Sequence, residues 1–257
     1  MKIQGKSCVV TGGASGIGRA LCRRFAAEGA RGVVVADRDG EGAAAVASEI
    51  GEAAISVTVD VAVEEQVQDM VARAEAAFGD IDLIFSNAGI GTGGGVEVSD
   101  DGWQSIWEIN VMSHIYAARA VLPKMIERGE GYIASTSSAA GLLSQIGSAP
   151  YAVTKHAAVA LAEWIAITHG NDGIKVSVLC PQAVRTAMTA GGPGVAGVDG
   201  MMEADEVAEI VVRAIEQERF LILPHPQVLE YMRRKTSDYD RWLHGMRRLR
   251  QRFLAGA

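Results

Sequence analysis

Short apolar runs recur along the chain, and the stretches between them have the spacing of amphipathic helices. Seven such runs lie near 7–11, 32–36, 55–59, 81–86, 131–136, 175–180 and 220–223. Buried strands that alternate with helices are typical of a parallel sheet covered by helices on both faces. We therefore predict a single-domain α/β fold with a doubly wound, mostly parallel, seven-stranded sheet.

The first apolar run leads into a glycine-rich turn, which is followed by a helical pattern over 19–28. Glycines let the backbone approach a pyrophosphate closely, and a helix N-terminus offers free N–H groups and a partial positive charge. The spacing departs from the Gly-x-Gly-x-x-Gly fingerprint, which residues 89–94 match without a helix start behind them, so we interpret 89–94 as a loop. The first turn is instead predicted to hold a dinucleotide through Gly12, Ser15, Gly16, Ile17 and Gly18.

The second apolar run ends at Asp37, nineteen residues beyond Gly18. A carboxylate at this distance accepts hydrogen bonds from the adenosine ribose hydroxyls and repels a 2′-phosphate. Arg38 lies beside it and weakens this preference. The pattern favours NAD over NADP, and the alternative is that Asp37 caps the helix that follows.

A Tyr-x-x-x-Lys sequence occurs twice in the chain. Tyr151 and Lys155 share a helix face, and Ser138 lies thirteen residues before the tyrosine. An ammonium near a phenol stabilises the phenolate, so the tyrosine pKa of about 10 is expected to fall toward working pH, as an acid/base catalyst requires. The second copy, Tyr231 to Lys235, lies in an arginine-rich tail without such a serine, and we expect it on a solvated helix face.

Over most of residues 5–224, the chain resembles the short-chain dehydrogenase/reductase family. The resemblance rests on the order of the motifs, which are the glycine loop, Asp37, Ser138, Tyr151 and Lys155. Ser86 and Gln182 depart from the family pattern, the second at a usual glycine, so family substrates do not transfer to this chain. Further motifs agree with the family: Asp60 and Val61 as the adenine-contacting pair, Asn87, Ala88 and Gly89 at a strand end, Asn110 as the asparagine that holds a water against the active lysine, and Pro181, Val184 and Thr186 in the nicotinamide-side loop.

The resemblance implies a Rossmann-type fold and hydride transfer between NAD and an alcohol or ketone. It also implies that Tyr151 moves the hydroxyl proton, that Lys155 binds the nicotinamide ribose and lowers the tyrosine pKa, and that Ser138 orients the substrate oxygen. Residues 187–202 contain five glycines and several apolar side chains, which favours either a segment that closes over a hydrophobic secondary alcohol or ketone, or a surface loop.

Two other functions remain open. An NAD-dependent isomerase or dehydratase is disfavoured because, as the resemblance implies, enzymes of this kind that act on sugar nucleotides usually carry a larger substrate domain. A noncatalytic dinucleotide sensor is disfavoured because Ser138, Tyr151 and Lys155 are all present.

The composition limits which cell compartments and which classes of protein fit this chain. The chain has 257 residues, 49% of them apolar, and no apolar stretch approaches the roughly 18 residues of a spanning helix, so no membrane contact is expected. The three cysteines fall in predicted core elements, which predicts free thiols in the reducing cytoplasm. The five histidines show no clustered spacing, so no metal site is predicted.

Charge divides the chain unevenly. Residues 225–257 contain eight Lys or Arg and three acidic residues, which is a net charge of +5. Because the whole chain has a net charge of −7, residues 1–224 carry about −12. We expect 1–224 to form the dinucleotide-binding and catalytic domain, and 225–257 to form a basic amphipathic tail packed on that domain or on a neighbouring subunit. Contact of the tail with an anionic membrane or nucleic acid is a minor alternative. The family resemblance implies a homotetramer built through the helices around 104–126 and 151–169.

Overall fold

The computed structural model describes residues 1–192 and 194–255, which form a seven-stranded sheet in the order β3-β2-β1-β4-β5-β6-β7. Every neighbouring pair of strands is parallel, so the predicted doubly wound sheet is confirmed and is fully rather than mostly parallel. The strands are β1 (Ser7–Thr11), β2 (Gly32–Asp37), β3 (Ala54–Thr58), β4 (Leu83–Ser86), β5 (Gly131–Thr136), β6 (Ile174–Leu179) and β7 (Leu221–Ile222).

Ten α-helices accompany these strands within the described part of the chain. They are α1 (Gly16–Ala27), α2 (Gly40–Ile50), α3 (Glu64–Phe78), α4 (Asp100–Trp107), α5 (Ser113–Arg128), α6 (Ala140–Leu143), α7 (Ala149–His169), α8 (Ala204–Glu216), α9 (Gln227–Ser237) and α10 (Tyr239–Ala255). A π-helical turn, Glu108–Met112, joins α4 to α5, and short 3₁₀ turns occupy Gly170–Asp172, Ala187–Thr189 and Gly194–Gly197.

The fourth strand begins two residues later than the apolar run predicts. Asp82 lies at its start, and its carboxylate accepts a hydrogen bond from the Ser7 backbone at 2.8 Å and one from the Lys6 ammonium at 3.1 Å. The Asp82 backbone also bonds to Ser7 and Tyr132, at 3.0 and 2.9 Å, so contact with both neighbouring strands begins one residue before β4 itself.

Both faces of the sheet are covered. Helices α1, α2 and α8 pack on one face through Leu21, Phe25, Val46 and Val211. Helices α3, α5 and α7 pack on the other face through a second cluster that includes Met70, Val121 and Ile165. Because neither face meets water, strands β1 and β5 are buried along their whole length, as is usual for parallel sheets.

The strand order changes direction between β1 and β4. Chain segments that leave these two strands run to opposite sides, so the loops after Thr11 and Ser86 diverge and open a crevice at the carboxyl edge of the sheet. Ligands of doubly wound sheets bind at this position. The fold therefore brings the predicted glycine loop and the Asn87 segment to the same edge.

The tail forms two helices, and α9 contacts the rest of the chain closely. Val228 is fully buried in a cluster with Ala139 and Leu143, and Lys235 donates to the Leu142 carbonyl at 2.7 Å. Tyr231 is half-buried and donates from its hydroxyl to Asp199 at 3.0 Å. The expectation of a solvated face for this second Tyr-x-x-x-Lys copy is therefore wrong, because α9 lies against α6 and the loop that precedes α8.

Two negative findings concern only residues 1–192 and 194–255. No helix among them is both long and apolar enough to cross a membrane, and no group of three or more potential ligand side chains is placed to hold a metal ion. Cys8, Cys22 and Cys180 are buried free thiols, in agreement with the prediction.

Candidate active site

The glycine loop turns sharply between β1 and α1. Gly12 and Gly16 have φ values of +68° and +52°, a region in which residues with a side chain are strained. A Cβ on Gly18 would lie 2.0 Å from the Gly12 carbonyl oxygen, so only glycine fits there. Ser15 is the N-cap of α1 and Ile17 lies in its first turn, where backbone N–H groups have no partner within the helix. This cradle fits a dinucleotide diphosphate.

Asp37 ends β2 beside the glycine loop. Its carboxylate accepts hydrogen bonds from the backbone N–H groups of Ala14 and Asp39, both at 3.0 Å. The helix-capping alternative is not observed, because Asp39 rather than Asp37 caps α2. Arg38 is exposed. The acid is thus held against the loop with a negative charge where the sequence predicts the adenosine ribose.

Asp60 and Val61 follow β3 on the same side of the sheet. The Asp60 carboxylate accepts from the Ala62 N–H at 2.9 Å, which makes a local turn, while its own N–H donates to Gln66 at 2.8 Å. Val61 is buried. These two hydrogen bonds hold the turn, and contact of Asp60 and Val61 with adenine stays a prediction.

Asn87 connects three strand ends. It donates from its backbone and from its side chain to Thr11, at 2.9 and 3.1 Å, and its side-chain oxygen accepts from Thr136 at 2.9 Å. The N–H of Ala88 also donates to the Thr11 hydroxyl at 3.1 Å. Thr11 and Thr136 are the last residues of β1 and β5, and neither is among the site residues predicted from the sequence. A hydroxyl residue at the end of a buried strand was the available signal.

Asn110 lies in the π-helical turn and is fully buried. Its amide holds the Ile90 backbone with two bonds, accepting from the N–H at 2.9 Å and donating to the carbonyl at 3.0 Å, and it also donates to Thr154 at 3.2 Å. The side chain therefore positions the loop after β4 against α7. The predicted role of Asn110 in holding a water near Lys155 stays a prediction.

Tyr151 and Lys155 lie on successive turns of α7, near its N-terminus. Ser148 caps this helix by accepting from the Tyr151 N–H at 3.2 Å, so the cap sets where the tyrosine emerges. The Lys155 ammonium lies 5.6 Å from the centre of the tyrosine ring and donates to the Thr136 carbonyl at 3.1 Å. The i, i+4 spacing thus produces the predicted pairing of the two side chains.

Burial dominates the electrostatics of this pair. It raises the pKa of Tyr151, and the nearby Ser138 side chain partly offsets the rise. It also lowers the pKa of Lys155 to about 8. The net direction for Tyr151 is opposite to the expected fall, because desolvation of the phenolate outweighs the stabilisation that the protein's own groups provide.

The nicotinamide-side loop follows β6 and contacts both halves of the site. The Pro181 carbonyl accepts from the Ala139 N–H at 2.8 Å and from the Ser138 hydroxyl at 3.4 Å. Val184 is buried and pairs with Met202. A Cβ on Gly16 would lie 2.9 Å from a Thr186 methyl carbon, so Thr186 lies directly against the glycine loop.

The absence of a side chain at Gly89 leaves space for the Lys155 ammonium. A Cβ at Gly89 would lie 3.2 Å from the Lys155 ammonium and 3.3 Å from the Asn110 side-chain oxygen. The structure thus brings together all of the predicted catalytic side chains and the loops after β1, β4 and β6 at one edge of the sheet, with Asp37 next to the glycine loop.

The fold and the arrangement of this site define an oxidoreductase of the Rossmann type. The short chain dehydrogenase family matches residues 6–192, and the chain belongs to that family. The chain is 37% identical to a 1-deoxy-11-beta-hydroxypentalenate dehydrogenase of Streptomyces exfoliatus, over 95% of this chain and 91% of the relative.

Two further similarities extend the comparison. The chain is 41% identical to a 2,5-dichloro-2,5-cyclohexadiene-1,4-diol dehydrogenase of Sphingobium indicum, over 72% of this chain and 75% of the relative. A short-chain dehydrogenase/reductase from Burkholderia phymatum, solved in complex with NAD, superposes with a TM-score of 0.85 at 32% identity, over 93% of this chain and 96% of that one.

Proposed function

We propose that the protein catalyses the reversible NAD-dependent oxidation of a secondary alcohol to a ketone. The observation that carries the proposal is the arrangement of Ser138, Tyr151 and Lys155 at the crevice edge, beside a glycine loop that fits a dinucleotide. A noncatalytic sensor needs the glycine loop alone. An acid/base pair with a hydroxyl partner in the same crevice favours catalysis.

Tyr151 is the proton acceptor in the oxidative direction. The alcohol O–H proton passes to the phenolate while the hydrogen on the same carbon leaves as a hydride, and a ketone remains. Bound NAD supplies the hydride acceptor and a cationic ring. The Ser138 hydroxyl orients the substrate oxygen, and the Lys155 ammonium, 5.6 Å from the centre of the Tyr151 ring, stabilises the phenolate.

The preference for NAD over NADP rests on Asp37. Its carboxylate is fixed by the Ala14 and Asp39 N–H groups, so it cannot turn away easily from a ligand beside the loop. A 2′-phosphate would meet this negative charge, whereas ribose hydroxyls would donate hydrogen bonds to it. The NAD complex of the similar Burkholderia phymatum protein supports binding of NAD(H) as such.

The substrate is proposed to be mainly hydrophobic. A cavity of about 350 Å³ lies between the nicotinamide-side loop and the segment that follows it, and its lining includes Ala190, Gly192 and Met201 together with Arg185, Thr186 and Thr189. Leu142 and Leu143, which follow Ser138 closely in sequence, form part of an apolar cluster with α9. The two similar proteins are dehydrogenases of hydroxyl compounds, which supports an alcohol as the substrate.

We also propose a cytoplasmic homotetramer. Helix α7 exposes Val153, Trp164 and Ile167, the last of them 84% exposed. Apolar side chains on one long helix are suited to burial against a second copy of the chain. Buried free thiols suit a reducing compartment. The tail is proposed to act as an accessory unit that packs on the catalytic domain through α9.

The test is a panel of hydrophobic secondary alcohols and ketones followed by NADH absorbance, with wild type, Tyr151→Phe and the control Tyr239→Phe. Tyr239 is 54% exposed in the tail. Tyr151→Phe is expected to bind NADH as tightly as wild type, by fluorescence titration, with turnover reduced by about 10²–10⁴. Unchanged turnover would remove Tyr151 from the mechanism, and an equal loss in the control would show that the effect is not specific.

A further inference from the structure

A group of polar side chains lies where the tail meets the loops that follow the active-site strands. We call it the tail–loop cluster: Gln182, Asp199, His225 and Tyr231. The Gln182 N–H donates to His225 Nδ1 at 3.2 Å, and the Tyr231 hydroxyl donates to Asp199 Oδ1 at 3.0 Å. Burial lowers the pKa of His225, and the charge of the nearby Asp199 carboxylate only partly opposes this shift.

Three buried atoms of this cluster have no hydrogen-bond partner within residues 1–192 and 194–255. They are Gln182 Oε1, Asp199 Oδ2 and His225 Nε2. Because His225 Nδ1 accepts a hydrogen bond, the neutral ring carries its proton on Nε2, which makes Nε2 a donor. The cluster therefore offers two acceptors and one donor, and leaving such buried atoms unpaired is costly.

The cluster adjoins the reacting groups. Gln182 follows Pro181, whose carbonyl accepts from the Ser138 hydroxyl at 3.4 Å. The segment that contains Asp199 closes over it, because the Ala183 backbone bonds to Ala196 at 3.2 Å and to Met202 at 3.1 Å. Gln182 stands where the family usually has glycine, so this side chain distinguishes the chain from its family pattern.

We propose that the tail–loop cluster binds a second hydroxyl of the substrate, so that the preferred substrate is a diol rather than a simple alcohol. The proposal rests on the proposed function and deepens it. A hydroxyl both donates and accepts, and can therefore pair with the ring N–H and with one of the two acceptors. An alkyl group would leave all three atoms unpaired, and a carboxylate would meet the Asp199 charge.

Access requires movement of the covering segment. Gly192, Gly194 and Gly200 have positive φ values, and these positions give the segment bends at which a glycine backbone changes conformation at low cost. The substrate would enter with the segment open and be enclosed when it closes.

The experiment compares 2-hexanol with 2,5-hexanediol, and 2-pentanol with 2,4-pentanediol, in wild type, Asp199→Asn and Gln182→Met. Asp205→Asn is the matched control, since Asp205 is an exposed acid in α8. In wild type, kcat/KM for at least one diol is expected to exceed that of its mono-alcohol by roughly ten- to a hundredfold. Both cluster variants should lower this ratio by about tenfold, and the control should not change it.

The two levels of the proposal fail in different ways. If no alcohol or diol is oxidised, the proposed function fails and the diol site fails with it. If alcohols are oxidised but diols are not preferred, or if both cluster variants leave the ratio unchanged, only the diol site is overturned. Thermal unfolding identifies a variant that fails to fold, and the other cluster variant then decides the outcome.

Discussion

Replacing Gly89 with alanine tests whether the position of Lys155 sets the rate. The added Cβ would lie 3.2 Å from the ammonium nitrogen and 3.3 Å from the Asn110 side-chain oxygen, both closer than ordinary van der Waals contact. Neither group is free to move away, because Lys155 donates to Thr136 and the Asn110 amide is bonded to the Ile90 backbone. We expect the ammonium to move by a few tenths of an ångström.

The size of the rate effect follows from this displacement. A misplacement of about 1 Å costs on the order of 10²-fold in rate, so a few tenths should lower kcat roughly three- to tenfold. Gly89 does not adopt a positive φ, so the backbone accepts alanine and the fold should be retained. Binding of NADH through the glycine loop should change little.

Gly91→Ala is the matched control, because a Cβ there would meet only a Met188 carbon at 4.0 Å. The assay measures kcat and KM with the best alcohol of the panel, NADH binding by fluorescence, and thermal unfolding. A kcat for Gly89→Ala equal to that of wild type, or equal losses in both variants, would refute the reasoning. A loss of stability without a fall in kcat would show that Gly89 serves folding alone.

Three further predictions concern cofactor choice, acid stability and the tail. Asp37→Asn keeps a hydrogen-bond acceptor but removes the charge, so the ratio of kcat/KM with NADP to that with NAD should rise at least about tenfold; no rise would contradict the charge-repulsion hypothesis. His114 is buried, and burial together with the Lys155 charge lowers its pKa from 6.5 to about 3. The contribution of this shift to stability is therefore complete above pH 6.5, and it is lost progressively as the pH falls from 6.5 toward 3. In urea unfolding, wild type should lose about 2 kcal/mol between pH 7.5 and pH 5 from this residue, a loss that is absent in His114→Leu and retained in His244→Leu, whose imidazole is exposed. Ending the chain at Pro224 removes the α9 side chains that cover Leu143 and should lower Tm markedly. Ending it at Ser237 removes only the more exposed α10 and should lower Tm less. Equal Tm values for both truncations and the full chain would contradict the packing role of α9.

Some features of the site follow from local sequence and were predictable. The glycine turn depends on residues within a short distance along the chain, because a Cβ on Gly18 would collide with the Gly12 carbonyl. The pairing of Tyr151 with Lys155 follows from helical periodicity. The crevice between the loops after β1 and β4 follows from the strand order of a doubly wound sheet, a fold class that the alternation of apolar runs indicates.

Other features depend on residues far apart in sequence, and no periodicity predicts them. The bond between Tyr231 and Asp199 joins groups thirty-two positions apart, and the contact of Lys155 with the Thr136 carbonyl joins a helix to a strand end. The amide of Asn110 meets Ile90 only because the π-helical turn packs against the loop after β4.

The sequence by itself determined the alternation of strands and helices, the glycine turn and the spacing of the catalytic candidates, because these depend on steric and helical rules that act over a few residues. Only the tertiary structure decided which way the Tyr151 pKa shifts and which polar atoms of Gln182, Asp199 and His225 lie buried without partners. Desolvation and hydrogen-bond pairing depend on every group that packs around an atom, and packing brings those groups together from distant parts of the chain.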